Sequence, residues 1–224
     1  MTSLFEREVG SGWETLHPRL RERYGLDASE GREAVGVGRL ATLGHSPRAV
    51  PALWLGPIDD TLFPEGGTDV PFTIITTAFL DGNGNEALVL DRRFDTTPPR
   101  RFVDTLRWNS DRGCLTDLYG HRGVIAADLH VRADGGTLVL SIGSQWLRLR
   151  DRYVELPSLL AVDGQLRDWY DDDRDRFRVA ADVTNPLVGQ VIGYEGTFEN
   201  EFRAAERVGG MPALGAIELP SEHE

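Results

Sequence analysis

From residue 70 onward, apolar and polar positions alternate in short runs: 71–80, 86–95, 101–109, 113–118, 122–132, 136–142, 144–150, 164–171, 175–184 and 196–203. Alternation at period two predicts strands with one buried face. Turn signals separate many of the runs: DGNGN at 81, TPP at 97, SDRG at 110, ADGG at 133 and DDD at 171. Strands in this close succession predict an antiparallel meander, and a long meander curls and closes. The expected fold is mainly β with some helix (α+β): a lipocalin-like barrel or strongly curved sheet of about ten strands. A helix-grip sheet is the alternative, although no long C-terminal helix offers to fill its concave face.

Upstream the pattern changes. Trp13, Leu16, Leu20 and Tyr24 fall at helical spacing in GWETLHPRLRERY, which predicts a helix over 12–24 with Pro18 near its start. GREAVGVGRLATLG reads as a strand whose glycines 36 and 38 share a face and suit a close backbone approach. SPRAVPALWLGPIDDTLFPEGG has a Ser-Pro start, an apolar stripe and a Gly-Gly stop, predicting a broken helix over 46–63. These two helical segments are expected to plug one end of the barrel. A single domain over 1–205 follows, and the Gly-Gly, Pro and acidic residues beyond it predict a flexible tail over 206–224.

Composition narrows the class. The chain has 224 residues, 40% hydrophobic and 27% charged, enough to bury a core without staples. Cys114 is the only cysteine, which excludes an intramolecular disulfide and a zinc thiolate cluster and fits a reducing compartment. The start lacks a basic segment followed by an apolar run, and no stretch approaches membrane-span length, so a cytoplasmic location is expected. A net charge of −12 repels phosphate backbones and anionic lipid; neither nucleic acid nor membrane is expected as a partner. The five histidines lack metal spacing, and GVGRL lacks the third glycine and following helix of a dinucleotide fingerprint. No metal and no cofactor is expected.

Polar residues on otherwise apolar faces are the candidates for chemistry. In 86–94, Leu88, Leu90, Arg92 and Phe94 share a face. Arg92 either leaves the strand end for solvent or a structural carboxylate, or lines a cavity and holds a ligand carboxylate, enolate or carbonyl oxygen. In 122–132, Ile125, Ala127, Leu129 and Val131 form one face, and Asp128 and His130 stand together on the other. A carboxylate beside an imidazole is a minimal acid–base pair, although a solvated sheet face produces the same pattern. Glu65, in FPEGG, stands at the edge of the first barrel strand; it is a turn carboxylate, or an acid–base group of raised pKa if it points inward. QLRDWYDDDRDRFR carries Asp168, Asp171, Asp172, Asp173 and Asp175, whose spacing does not match a calcium loop and reads as a solvated hairpin turn. Trp108 and Tyr194 join Leu88, Leu90 and Phe94 as candidate ligand contacts.

The segments LHPRLRERYG, LFPEGGTDVPFTI, RRFVDTLRWNSDRGCLTDLYGH and FRVAADVTNPLVGQVIGYEGTFENEF resemble a bacterial family known as domain of unknown function 4166. The resemblance spans 12–203 and implies a domain that stands alone or is fused behind a saccharopine-dehydrogenase-like reductase module; it carries no established activity. Arg92 and Phe94 match an arginine and phenylalanine two residues apart in similar proteins, whereas Leu90 stands where these often carry tryptophan. The expected function is a pocket protein for an apolar or amphipathic small molecule, of the cofactor-free cyclase, isomerase or lyase type. Arg92 would be the electrophile, with Glu65 or the Asp128/His130 pair as acid–base groups. The alternative is a non-catalytic ligand-binding module partnering a reductase.

Overall fold

The computed structural model describes residues 2–205 and 217–221. Helical pieces come first: α1 (Leu4–Val9), a 3-10 turn (Gly10–Thr15) and α2 (Pro18–Tyr24). Ser3 starts α1 by accepting a hydrogen bond from the Glu6 N–H at 3.1 Å. His17 does the same for α2, whose first residue is Pro18. Then follow β1 (Arg32–Gly44), α3 (Val50–Leu53), a 3-10 turn (Gly56–Asp59), β2 (Gly67–Leu80), β3 (Glu86–Phe94), β4 (Arg100–Asn109) and β5 (Cys114–Tyr119). The remaining strands are β6 (Ile125–Asp134), β7 (Thr137–Leu149), β8 (Arg152–Glu155), β9 (Asp163–Asp171), β10 (Arg176–Asn185) and β11 (Gly189–Ala204).

Strands β1 to β7 pair in sequence order, β7 pairs with β9, and β9 to β11 continue in order until β11 meets β1. All pairs are antiparallel, and ten strands close into a barrel. Strand β8 lies outside the ring, pairing with the second half of β7. The runs 136–142 and 144–150 are one strand, β7, in which a bulge at Gly143 and Ser144 shifts the register against β6 without ending the strand. Strand β8 is an addition to the expected set, and β11 begins at Gly189 rather than 196. Gly196 looks like a turn residue but serves the seam with β1. A Cβ on Gly196 would stand 2.5 Å from the Arg39 carbonyl oxygen, and one on Gly38 would stand 2.0 Å from that of Thr197.

The interior face carries one continuous core, in which Leu88, Leu106, Leu115 and Phe198 meet Phe5 and Leu20 of the N-terminal helices. Those helices plug the end marked by the β6–β7 turn, where the His17 N–H donates to the Gly136 carbonyl. The second helical region closes the opposite end, a correction to the expectation of a shared end. It has to, because it connects the end of β1 to the start of antiparallel β2. A separate cluster of Leu118, Ala126, Trp146 and Tyr153 lies outside the barrel, with Ile217 and Leu219 packed against it. The expected flexible tail is therefore docked at 217–221, since that outward face is apolar and needs cover. The Ile217 and Pro220 carbonyls accept hydrogen bonds from Arg107 and Asn109, each at 2.8 Å. Residues 206–216 and 222–224 lie outside the described residues.

The seam yields a prediction. Gly38→Ala places a methyl group against backbone rather than a movable side chain, so it should lower stability by about 1–3 kcal/mol. Urea denaturation followed by tryptophan fluorescence reads this, and an unchanged midpoint would show that β1 and β11 can part without loss.

Candidate functional site

A cavity of about 260 Å³ lies inside the barrel, bounded by Phe5, Arg23 and Tyr24 at the plugged end and by Leu62 and Leu160 at the other. Its walls differ. Leu140, Ile142, Leu166, Val179 and Ile192 give an apolar side, while β3, β4 and β5 contribute Arg92, Asp104, Asp117 and Tyr119. Strand register explains the polar side: Arg92 pairs opposite Phe102, Leu90 opposite Asp104, Asp104 opposite Tyr119, and Leu106 opposite Asp117. Arg92, Asp104 and Asp117 are thus diagonal neighbours on three adjacent strands.

The Arg92 Nη1 donates to Asp104 Oδ2 at 2.7 Å, and its guanidinium carbon lies 5.0 Å from the centre of the Phe102 ring. Asp104 is buried and Arg92 part-buried, but the pair is incompletely satisfied: Asp104 Oδ1 has no hydrogen-bond partner, and neither has Asp117 Oδ1. One guanidinium cannot neutralise two buried carboxylates, so the pair takes up a proton. Burial and then the charge of Asp104 push Asp117 well above the carboxylate range, with Arg92 opposing. Burial raises Asp104 too, against the opposing pull of Arg92. Asp117, which has no ion pair, is pushed up further than Asp104. Although burial works against its charge, Asp104 keeps Arg92 protonated. Burial pushes the Tyr194 hydroxyl up to about 12, leaving it a neutral donor on the same cavity.

A second polar group stands nearer the plug. The Tyr24 hydroxyl of α2 donates to Asp168 Oδ2 of β9, while Asp168 Oδ1 is unpartnered. Burial raises Asp168 to about 6, opposed by the Tyr24 bond and by the charges of Arg23 and Arg92.

Of the candidate residues read from sequence, Arg92, Leu90, Phe94 and Tyr194 line the cavity. The others stand elsewhere. Leu88 is packed in the core, and Trp108 lies under the Arg7 guanidinium at 3.8 Å. Glu65 is held outside the cavity by Arg100 at 2.5 and 2.6 Å, which lowers its pKa instead of raising it. Asp128 is on the outer face, gripped by Arg112 at 2.6, 2.8 and 3.0 Å, and its neighbour His130 faces Glu8 at 3.8 Å. These three are therefore not acid–base groups of the cavity; the inward carboxylates are Asp104, Asp117 and Asp168. An outer groove of about 470 Å³ carries Arg93, Arg100 and Arg101, each already bound to a carboxylate. In the 171–175 turn, Asp171 meets Arg174, Asp172 meets His17 and Asp175 meets Tyr170. Among the described residues no cluster of His, Cys, Asp and Glu side chains is placed to hold a metal ion.

The model of the family described as Domain of unknown function (DUF4166) matches residues 16–198. The chain belongs to the DUF4166 family. It is 28% identical over 206 residues to a protein of Bacillus subtilis (strain 168) named "Uncharacterized protein YndH", covering 91% of this chain and 99% of the relative. No solved structure matches it. Among the described residues of this DUF4166 chain, no helix is long and apolar enough to cross a membrane.

The sequence reading missed Asp104, Asp117 and Tyr119, although each alternates with apolar residues along its strand. Asp104 alternates with Phe102, Leu106 and Trp108, and Asp117 with Leu115 and Tyr119. Asp168 was hidden in a run of acids whose other members belong to the turn.

Two stability measurements test these assignments. Arg92→Met leaves two buried carboxylates without a cation and should cost about 3–5 kcal/mol at pH 8. The cost should shrink as pH falls and the carboxylates protonate, and Asp104→Asn on the same background should recover part of it. A deficit independent of pH would mean that lost packing, not charge, is responsible. Asp168 has a folded pKa of about 6 against an ordinary 3.8, so its contribution is most favourable below the lower value and is lost as pH rises through the higher. Asp168→Asn should accordingly gain up to about 3 kcal/mol over wild type as pH rises through that window. Urea midpoints for both proteins at several pH values would expose a flat difference, which this titration does not allow.

Proposed function

We propose that the DUF4166 barrel binds an amphipathic small molecule carrying a carbonyl group and moves a proton on the adjacent carbon. This is the chemistry of a cofactor-free enzyme of the cyclase, isomerase or lyase type. The observation that carries the reading is the pair of unpartnered carboxylate oxygens, on Asp104 and Asp117, lining the same cavity as the part-buried Arg92. Buried titratable groups with perturbed pKa values gather in this way where proton transfer is the task.

The roles follow from charge. The carbonyl oxygen sits against Arg92, the Tyr194 hydroxyl and the neutral Asp117 carboxyl, all donors. A carboxylic acid kept neutral by burial can donate to an oxyanion as it develops. Asp104 is the base: its free Oδ1 accepts the proton from the α-carbon, the C–H electron pair moves into the carbonyl, and the enolate oxygen gathers the charge. Burial raises its basicity while Arg92 keeps it ionised. Return of the proton at a different carbon completes an isomerisation; departure of a β-substituent completes an elimination. The apolar wall of β7 and β9–β11 holds the hydrocarbon body.

A binding module without turnover is the second reading. It is favoured by the ion pair that Arg92 already makes, which diverts one of its donors from a ligand.

Exchange of α-protons separates the two. With a medium-chain methyl ketone in deuterium oxide, wild-type protein should accelerate deuterium uptake at the α-carbons at least about tenfold over buffer. Asp104→Asn should abolish the acceleration while still binding the ketone. Proton NMR follows the exchange; ketone bound without exchange would establish the binding module and overturn the catalytic reading.

A further inference from the structure

The cavity has a second unsatisfied polar place, at its plugged end. Asp168 and Arg23 are both buried, 4% and 1% exposed, and both line the cavity. Asp168 uses Oδ2 to accept from the Tyr24 hydroxyl, leaving Oδ1 without a partner. Arg23 donates through Nη1 to Asn200 Oδ1 and rests with its guanidinium carbon 4.8 Å from the Phe198 ring centre, leaving Nε without a partner. The remaining groups are complementary: one free acceptor and one free donor, held by β9 and by α2 of the plug. Leaving such atoms unmatched costs on the order of 1–3 kcal/mol each, so a site that keeps both is built to have them filled.

We infer that Asp168 and Arg23 form a second ligand-binding station that takes a hydroxyl group at the plugged end of the cavity. A hydroxyl is the small group that matches both atoms, donating to Asp168 Oδ1 and accepting from Arg23 Nε–H. A carboxylate would meet the Asp168 charge, and an ammonium would meet that of Arg23. A ligand hydroxyl would make both bonds at once, as a bridging water does between two such groups. Supports on both residues fix the station before a ligand arrives: Tyr24 and Asn200 hold the polar ends, and Phe198 supports the Arg23 plane. This inference rests on the proposed carbonyl site and gives its ligand a second polar feature. The ligand has an apolar body, a carbonyl toward Arg92 and a hydroxyl toward Asp168.

Calorimetric titration of the whole protein with three matched probes tests this: medium-chain methyl ketones, their ω-hydroxy counterparts and their ω-methoxy counterparts. At the chain length that spans the cavity, the hydroxy ketone should bind about tenfold more tightly than the plain ketone. The methoxy ketone, which accepts but cannot donate, should show no such gain. Asp168→Leu should erase the advantage while leaving the affinity for the plain ketone within about twofold. Because the methoxy control needs no variant, a poorly folded Asp168→Leu protein does not spare the inference. If the ketones bind but hydroxyl and methoxy probes equal the plain ketone at every length, the station holds water only and the inference is overturned while the carbonyl site stands. Failure of every ketone to bind would overturn the carbonyl site, and the station's ligand with it.

Discussion

Burial of the Arg92–Asp104 pair requires a surface that bulk water does not wash, and closure of the ring by β1 against β11 supplies one. An open sheet of the same strands would leave its concave side solvated, where an arginine and an aspartate interact weakly and keep ordinary pKa values. Once the ring closes, the same two side chains are desolvated together, and a third charged group nearby can no longer ionise independently. That is the position of Asp117. Closure itself depends on backbone proximity at the seam, where Gly38 and Gly196 allow β1 and β11 to lie against each other. The proton shared on the polar wall is therefore linked, through the seam, to two positions that carry no side chain.

Ring closure also explains why the fold was legible and the site only partly so. Strands announce themselves by alternation, and the runs from 71 to 203 fall on β2–β7 and β9–β11 with few changes of boundary. The failures are at residues whose signal has two meanings. Gly189, Gly193 and Gly196 look like a connector, yet all three belong to β11, and Gly196 allows the close approach to β1. For β4 both faces are buried: Asp104 and Leu106 inside, Val103, Thr105 and Arg107 outside. Alternation then cannot say which face is the interior. Arg92 stood out because its strand had one plainly apolar face; Asp104 and Asp117 did not, because their strands have two covered faces, one of them partly by residues 217–221. A distant segment of chain that covers an outer surface leaves no trace in local periodicity.

Arginine–carboxylate pairs are common over the whole molecule, so the presence of one at the cavity is weak ground for function. What separates them is how completely each is satisfied. Arg112 closes on Asp128 with three N–H contacts between 2.6 and 3.0 Å, and Arg100 grips both oxygens of Glu65. These outer pairs use up both oxygens of the carboxylate and leave nothing for a ligand, as structural pairs should. Inside the barrel, Arg92 reaches one oxygen of Asp104 and leaves the other bare, and Asp117 and Asp168 each keep a bare oxygen as well. A fold selected for stability alone would replace such groups with apolar ones of similar size, at no loss and often at a gain. Three unsatisfied carboxylates facing one cavity argue that the interior is arranged around something absent from the chain itself, and the donors beside them, Arg92, Tyr194 and Arg23, give that missing molecule its chemistry.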